Sequence, residues 1–182
     1  MTENDFQNLV DRQYVPLFRF ALSLSKSETE AADLTQQTFF LWATKGDQLR
    51  DRSKAKSWLF TTCYREFLNR RRHDARFPQV GLDEAREDDM SVSPNVEAID
   101  GRALLHALQD VEEPFRASLT LFYLEQFSYQ EIADVLEIPI GTVMSRLSRG
   151  KAQLRERLLS KGKTDARKIV SMAKEKRTET HG

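Results

Sequence analysis

Residues 127–149 constrain this chain more than any other stretch, because a helix is started, stopped and restarted within a short span. Ser128 followed three residues later by Glu131 is a capping box, which satisfies the first free N–H groups of a helix. Ile132, Ala133, Val135 and Leu136 give that helix one apolar face. Ile138-Pro139 then break it, since proline cannot continue a helix yet suits the first turn of the next. The second helix is expected to turn Ile140, Val143, Leu147 and Leu154 inward and Thr142, Ser145, Arg146 and Arg149 outward. An outward row of hydroxyls and guanidiniums suits phosphates and base edges. The unit reads as a helix-turn-helix, whose second helix fits a DNA major groove. The same pattern is compatible with an ordinary helical hairpin that carries a solvated basic face, so the rest of the chain has to decide.

Helical spacing continues on both sides. Phe6, Leu9, Val10 and Tyr14 recur at helical intervals, and Leu17, Phe18, Phe20, Ala21, Leu22 and Leu24 carry on after Pro16. Ser27 offers a second capped start for a helix with Leu34, Phe39, Phe40 and Trp42, which Gly46 ends. Ser57 is expected to cap a third, with Trp58, Leu59, Phe60, Cys63, Phe67 and Leu68, ending in Asn69-Arg70-Arg71-Arg72. Further helices are expected near 96–108, 114–124, 129–136 and 139–158. Alternating strand patterns are hard to find, and glycine and proline number only 7 and 5 in 182 residues. The predicted fold is all-α, with two small helical domains: 5–73, then an acidic flexible linker at 74–94, then 95–158. A basic C-terminal tail follows at 159–182. Domains of this size hold only marginal cores on their own.

Formal net charge is zero, but the charge is segregated. Between residues 43 and 72, nine cations face only Asp47, Asp51 and Glu66. Asp83, Glu84, Glu87, Asp88, Asp89, Glu97 and Asp100 then face only Arg76 and Arg86. From 141 to 158 the chain turns basic again through Arg146, Arg149, Lys151, Arg155 and Arg157. Two cationic surfaces joined by an anionic connector look like two contacts on one polyanion. Other classes lose support. Cys63 stands alone, so no disulfide framework or zinc site is available, and a reduced, cytoplasmic setting is expected. The N-terminus lacks the pattern of a signal peptide, and no apolar run suffices to insert into a bilayer. His73, His106 and His181 are scattered, no phosphate loop or metal-spaced ligand set occurs, and neither an enzyme nor a cofactor is expected.

Two further constellations stand out. Asp33, Gln36, Gln37 and Phe40 share one helical face, and a face mixing a carboxylate, amides and an aromatic is more typical of a protein interface than of a core, although a half-buried amphipathic helix shows the same pattern. The segment 45–72 mixes cations with Trp58, Tyr64 and Phe67, a mixture able to track a backbone and stack on unpaired bases. Helical spacing assigns those aromatics mainly to core, leaving Lys54, Lys56, Thr61, Thr62, Arg65, Asn69 and Arg70 for the surface.

Four segments, in order, resemble the sigma-70 family and within it the extracytoplasmic-function (ECF) sigma factors of bacteria. They are Tyr14-Val15-Pro16-Leu17-Phe18-Arg19-Phe20-Ala21, Asp33-Leu34-Thr35-Gln36-Gln37-Thr38-Phe39, Ser57-Trp58-Leu59-Phe60-Thr61 and Ile140-Gly141-Thr142-Val143-Met144-Ser145-Arg146-Leu147-Ser148-Arg149-Gly150-Lys151. The resemblance spans residues 5–158. It implies that the first domain is sigma region 2, with Asp33, Gln36, Gln37 and Phe40 at the β′ clamp helices of core RNA polymerase. It implies that Arg50, Arg52, Lys54, Lys56, Trp58, Thr61, Thr62, Arg65, Asn69 and Arg70 meet the −10 promoter element. The second domain would be region 4, contacting the β flap, with Thr142, Ser145, Arg146, Ser148 and Arg149 at the −35 element. An anti-sigma factor is a further implied partner. Gln37 stands where the family usually has Glu, and Met144 where Arg is frequent, so promoter specificity does not carry over. The residue patterns themselves leave open a conventional helix-turn-helix regulator acting as a dimer, and an adaptor that keeps the fold only to bind a regulator.

Overall fold

The computed structural model describes residues 3–76 and 99–161. Helices α1 (Glu3–Ser25), α2 (Glu28–Lys45) and α3 (Ala55–Arg76) form an N-terminal bundle. Helices α4 (Ile99–Gln109), α5 (Glu113–Tyr123), α6 (Tyr129–Leu136) and α7 (Ile140–Lys161) form a C-terminal one. No strand occurs among the described residues, and none of their helices is long and apolar enough to cross a membrane. The expected acidic linker past Arg76 and the expected tail past Lys161 lie outside the described residues.

Local chemistry sets the helix ends. Helix α1 runs unbroken through Pro16, whose missing N–H removes one ladder bond without stopping the apolar stripe from burying Leu17, Phe20, Ala21 and Leu24. The Ser27 hydroxyl accepts the Glu30 N–H at 3.3 Å and opens α2. Gly46 ends α2 because the indole of Trp42 lies flat against it: a Cβ there would sit 2.7 Å from the ring. One expectation is corrected. Ser57 is not the cap of α3, which begins two residues earlier at Ala55. The Asp51 carboxylate instead accepts the Ser53 N–H at 3.0 Å and organises the turn Arg52–Lys54 that leads into the helix. Ser57 lies in the first turn, its carbonyl accepting the Thr61 hydroxyl at 2.9 Å. The same helix continues past Arg72 to Arg76.

The two bundles share a buried seam. Phe20 of α1, Phe60 of α3 and Phe127 of the α5–α6 loop form a ladder of rings with centroids 5.3 and 5.0 Å apart. All three are buried, within one continuous cluster that also takes in Leu119, Ile132 and Leu136. Polar contacts line the seam. Arg116 of α5 is 2% exposed and donates to the carbonyls of Ser23, Leu24 (3.3 Å) and Val111 (2.9 Å), so it caps the C-terminal end of α1 from the other bundle. Glu125 is buried and accepts from Arg19 at 3.0 and 3.2 Å, while Lys56 donates to its carbonyl at 2.7 Å. Sharing apolar surface this way supplements two cores that are each small.

Candidate functional site

Three surfaces carry the residues singled out from the sequence. The first is on α2. Asp33, Gln36 and Phe40 are exposed and Gln37 is half-buried; with Arg70 of α3 they line one shallow depression of about 440 Å³. Phe40 is 60% exposed, a large apolar ring open to solvent. The structure therefore brings all four α2 residues together. It sets Arg70 beside them, away from the other residues expected at the −10 element.

The second surface is a groove of about 380 Å³ between α2, the turn Gly46–Gln48 and α3. Trp58, Thr62, Arg65, Glu66 and Asn69 of α3 line one wall, and Leu41, Lys45, Gln48 and Leu49 the other. Trp58 is half-buried with its ring edge-on to Trp42, centroids 5.1 Å apart, so it is fixed by core packing while one side faces the groove. Arg50, Arg52 and Lys54 are exposed on the adjoining loop, where Arg52 pairs with Asp47 at 2.9 Å. Lys45, Gln48 and Leu49 were not among the expected site residues. They precede the basic loop in sequence, and only the fold across Gly46 turns them toward α3. Phe60 and Phe67 are core residues, as their spacing suggested, and so is Cys63, whose thiol is pushed up to about 12 by burial and is inert as a nucleophile.

Two of the expected −10 residues are engaged across the seam, Arg65 from the edge of the groove. Lys56 sits over the Phe127 ring, 4.5 Å from its centroid, besides its bond to the Glu125 carbonyl. Arg65 donates to both carboxylate oxygens of Glu137, one of them at 3.2 Å. That hydrogen bond holds the Glu137 carboxyl below its ordinary range. Glu137 itself closes α6 in the left-handed region at φ 54°, a conformation costly for any residue but glycine. The turn of the helix-turn-helix is thus made by Glu137 together with Ile138-Pro139.

The third surface is α7. The capping box at Ser128 and Glu131 is present in both directions, at 3.3 and 2.7 Å, and depresses the Glu131 carboxyl through its backbone hydrogen bond. Val143, Leu147 and Leu154 are buried, and Gly150 lets α5 approach, because a Cβ there would meet Phe115 and Leu119 at 2.9 Å. Two expectations about facing are corrected. Ile140, expected inward, is 40% exposed at the first residue of α7, while Val143 in the same turn is buried. Arg146, expected outward, is half-buried against Tyr64 of α3. Burial raises the Tyr64 phenol, and the nearby guanidinium opposes that shift by its charge and a hydrogen bond. The Nη1 atom of Arg146 is buried with no hydrogen-bond partner. The face of α7 open to solvent is Met144, Ser145, Ser148 and Arg149, with Thr142 half-buried at its edge.

Residues 9–77 match sigma-70 region 2, and residues 101–154 match sigma-70, region 4. The ECF RNA polymerase sigma factor SigE of Mycolicibacterium smegmatis is 32% identical over 158 residues, which are 84% of this chain and 61% of SigE. SigL of Mycobacterium tuberculosis is 31% identical over 160 residues, covering 86% of this chain and 90% of SigL. Among solved structures, the sigma factor RpoE of Bartonella quintana, in complex with the anti-sigma factor NepR, matches with a TM-score of 0.69 at 29% identity, over 86% of this chain and 98% of that one. CnrH, in complex with the cytosolic domain of CnrY, has the same fold at a TM-score of 0.59 and 23% identity, over 88% of this chain and 92% of its own.

Proposed function

This chain belongs to the ECF sigma factors of the sigma-70 family, and we propose that it binds core RNA polymerase and directs it to promoters through their −10 and −35 elements. The observation that carries the reading is the coexistence of three exposed chemistries in one chain. A carboxylate–amide–aromatic face on α2 suits the β′ clamp helices. A groove between α2 and α3 with a fixed tryptophan edge, the amides of Gln48 and Asn69 and the cations Lys45 and Arg65 beside one carboxylate, Glu66, suits an unpaired strand. A hydroxyl–guanidinium face on α7 suits a major groove.

The physical division of work follows. Opening a promoter costs about 1.4 kcal/mol per base step in lost stacking. Capturing extruded bases in the α3 groove, with Arg50, Arg52 and Lys54 on the strand's phosphates, offsets part of that cost. The α7 helix supplies register, each good bidentate base contact being worth about 1–3 kcal/mol. Arg65 and Lys56 on one side and Arg146 on the other are engaged with each other's bundle in the arrangement described here. Reading both elements at once therefore requires the seam to open. The stretch 77–98 reaches at most about 75 Å when extended, long enough to let two small bundles part along a duplex.

Regulation by an anti-sigma factor belongs to the same proposal. It is supported by the Bartonella relative, which was captured with NepR. An occupant of that kind would compete with polymerase for faces such as that of α2 around Phe40.

The test is transcription from a promoter library by this chain and bacterial core polymerase at stated salt. Promoter-selective transcripts are expected, lost with Arg146→Ala plus Arg149→Ala and also with Asp33→Ala plus Gln36→Ala. Polymerase binding with no transcripts from any promoter, or tight duplex binding by the protein alone, would sink the reading.

A further inference from the structure

The recognition helix carries an apolar side chain where a groove reader is expected to carry hydrogen-bonding ones. Met144 is 50% exposed, one turn into α7, and Ile140 one turn earlier is 40% exposed on the same strip. The polar neighbours do not reach as far. The Ser145 hydroxyl donates to the Thr142 carbonyl at 2.9 Å, so its proton is engaged within the helix. Arg146 is turned against Tyr64 of the other bundle. Arg146 aside, which only an opened seam would free, the longest side chain on the open face of the first two turns is a thioether. Those first turns are the part of a recognition helix that meets base edges.

A methionine has no hydrogen to donate and only a weak acceptor sulfur, so it cannot use the donor–acceptor code of the major groove. One feature of that groove is apolar, the C5-methyl group of thymine. Arg149 lies farther along the same open face and suits a phosphate. We propose that Met144 is a specificity-determining residue that packs on the methyl group of a thymine in the upstream promoter element. The inference rests on the promoter-reading function above and names what one position of that element must be. Arginine at the same place would select guanine through two hydrogen bonds; Met144 selects a methyl, a smaller discrimination but one of opposite base preference.

The experiment uses holoenzyme reconstituted from the full chain and core polymerase. Duplexes that it binds and transcribes are first selected from a library, and each thymine of the upstream element is then replaced singly by uracil, which removes only the methyl group. One such replacement is expected to weaken holoenzyme binding about fourfold, the burial of roughly one methyl. The same replacement is expected to leave Met144→Ala holoenzyme unaffected, because the contact is already gone. Since Met144 is on the surface, that variant keeps its helical circular dichroism, and the base replacement tests the contact without altering the protein at all. If every uracil duplex binds as tightly as its thymine parent, or if uracil costs the wild type and Met144→Ala equally, the assignment is overturned while promoter reading stands. If no upstream sequence is selected, promoter reading itself fails and the role of Met144 falls with it.

Discussion

The seam between the two bundles is built differently at its two ends. At the α1–α5 end the contacts are dry: Arg116 and Glu125 are buried, and each is satisfied across the boundary by carbonyls or by Arg19. At the α3–α6 contact one pair is wet: Arg65–Glu137 is exposed, with Arg65 at 58%. Exposed pairs contribute little and are screened by salt, whereas buried polar groups are costly to leave without partners. The buried contacts are therefore expected to hold the bundles together more firmly than the exposed Arg65–Glu137 pair does. Arg65, one of the residues expected to meet DNA, belongs to that exposed pair, whose release costs little.

The contrast can be broken in order of expected effect. Replacing Arg116 with Ala strips donors from three buried carbonyls, and about 3 kcal/mol of stability is expected to go. Denaturant unfolding should then show the two bundles melting apart; a single unshifted transition would mean that the dry end holds nothing. Gly46→Ala drives a methyl into the Trp42 ring and is expected to cost about 2 kcal/mol, read as a lowered Tm confined to the N-terminal bundle.

The third test concerns pH, because the two seam carboxylates are shifted in opposite directions. Burial raises Glu125, with Arg19 opposing, while the Arg65 hydrogen bond lowers Glu137. A raised carboxyl binds its proton more tightly folded than unfolded. The contribution of Glu125 is thus fully present below its ordinary value of about 4.5 and is lost as pH rises through the raised value. Glu137 works the other way, its contribution present above the ordinary range and lost as pH falls through the lowered value. Glu125→Gln should flatten the decline of stability with rising pH just above 4.5, measured by denaturation at stepped pH. An unchanged slope would remove Glu125 as the cause.

Arg65→Ala has the smallest expected effect on stability, less than about 1 kcal/mol, and less still in high salt. A loss of several kcal/mol would show that the wet pair is not wet in its energetics.

Much of this molecule was legible from residue order. Capping at Ser27 and Ser128, the break at Ile138-Pro139 and the apolar stripes of α1 and α7 follow from local hydrogen bonding and period, so the helices and their sequence positions were accessible. So was the α2 face, because residues three and four apart on one helix stay together whatever the rest does. The start of α3 was misplaced because the turn Arg52–Lys54, organised by Asp51, leads into the helix before Ser57 is reached.

What sequence alone determined is the local layer: which residues are helical, which sit side by side on one helix, and which regions of the chain are cationic. What only the tertiary structure decided is how helices meet. It put Lys45, Gln48 and Leu49 across from Trp58, turned Arg146 from a solvent-facing residue into a neighbour of Tyr64, and left Met144 as the reach of α7. The reason is that side-chain facing on a helix is fixed relative to that helix by a 3.6-residue period. Which of those faces meets another helix depends on burial of Phe20, Phe60 and Phe127 against one another, contacts between residues far apart in the chain that no local pattern encodes.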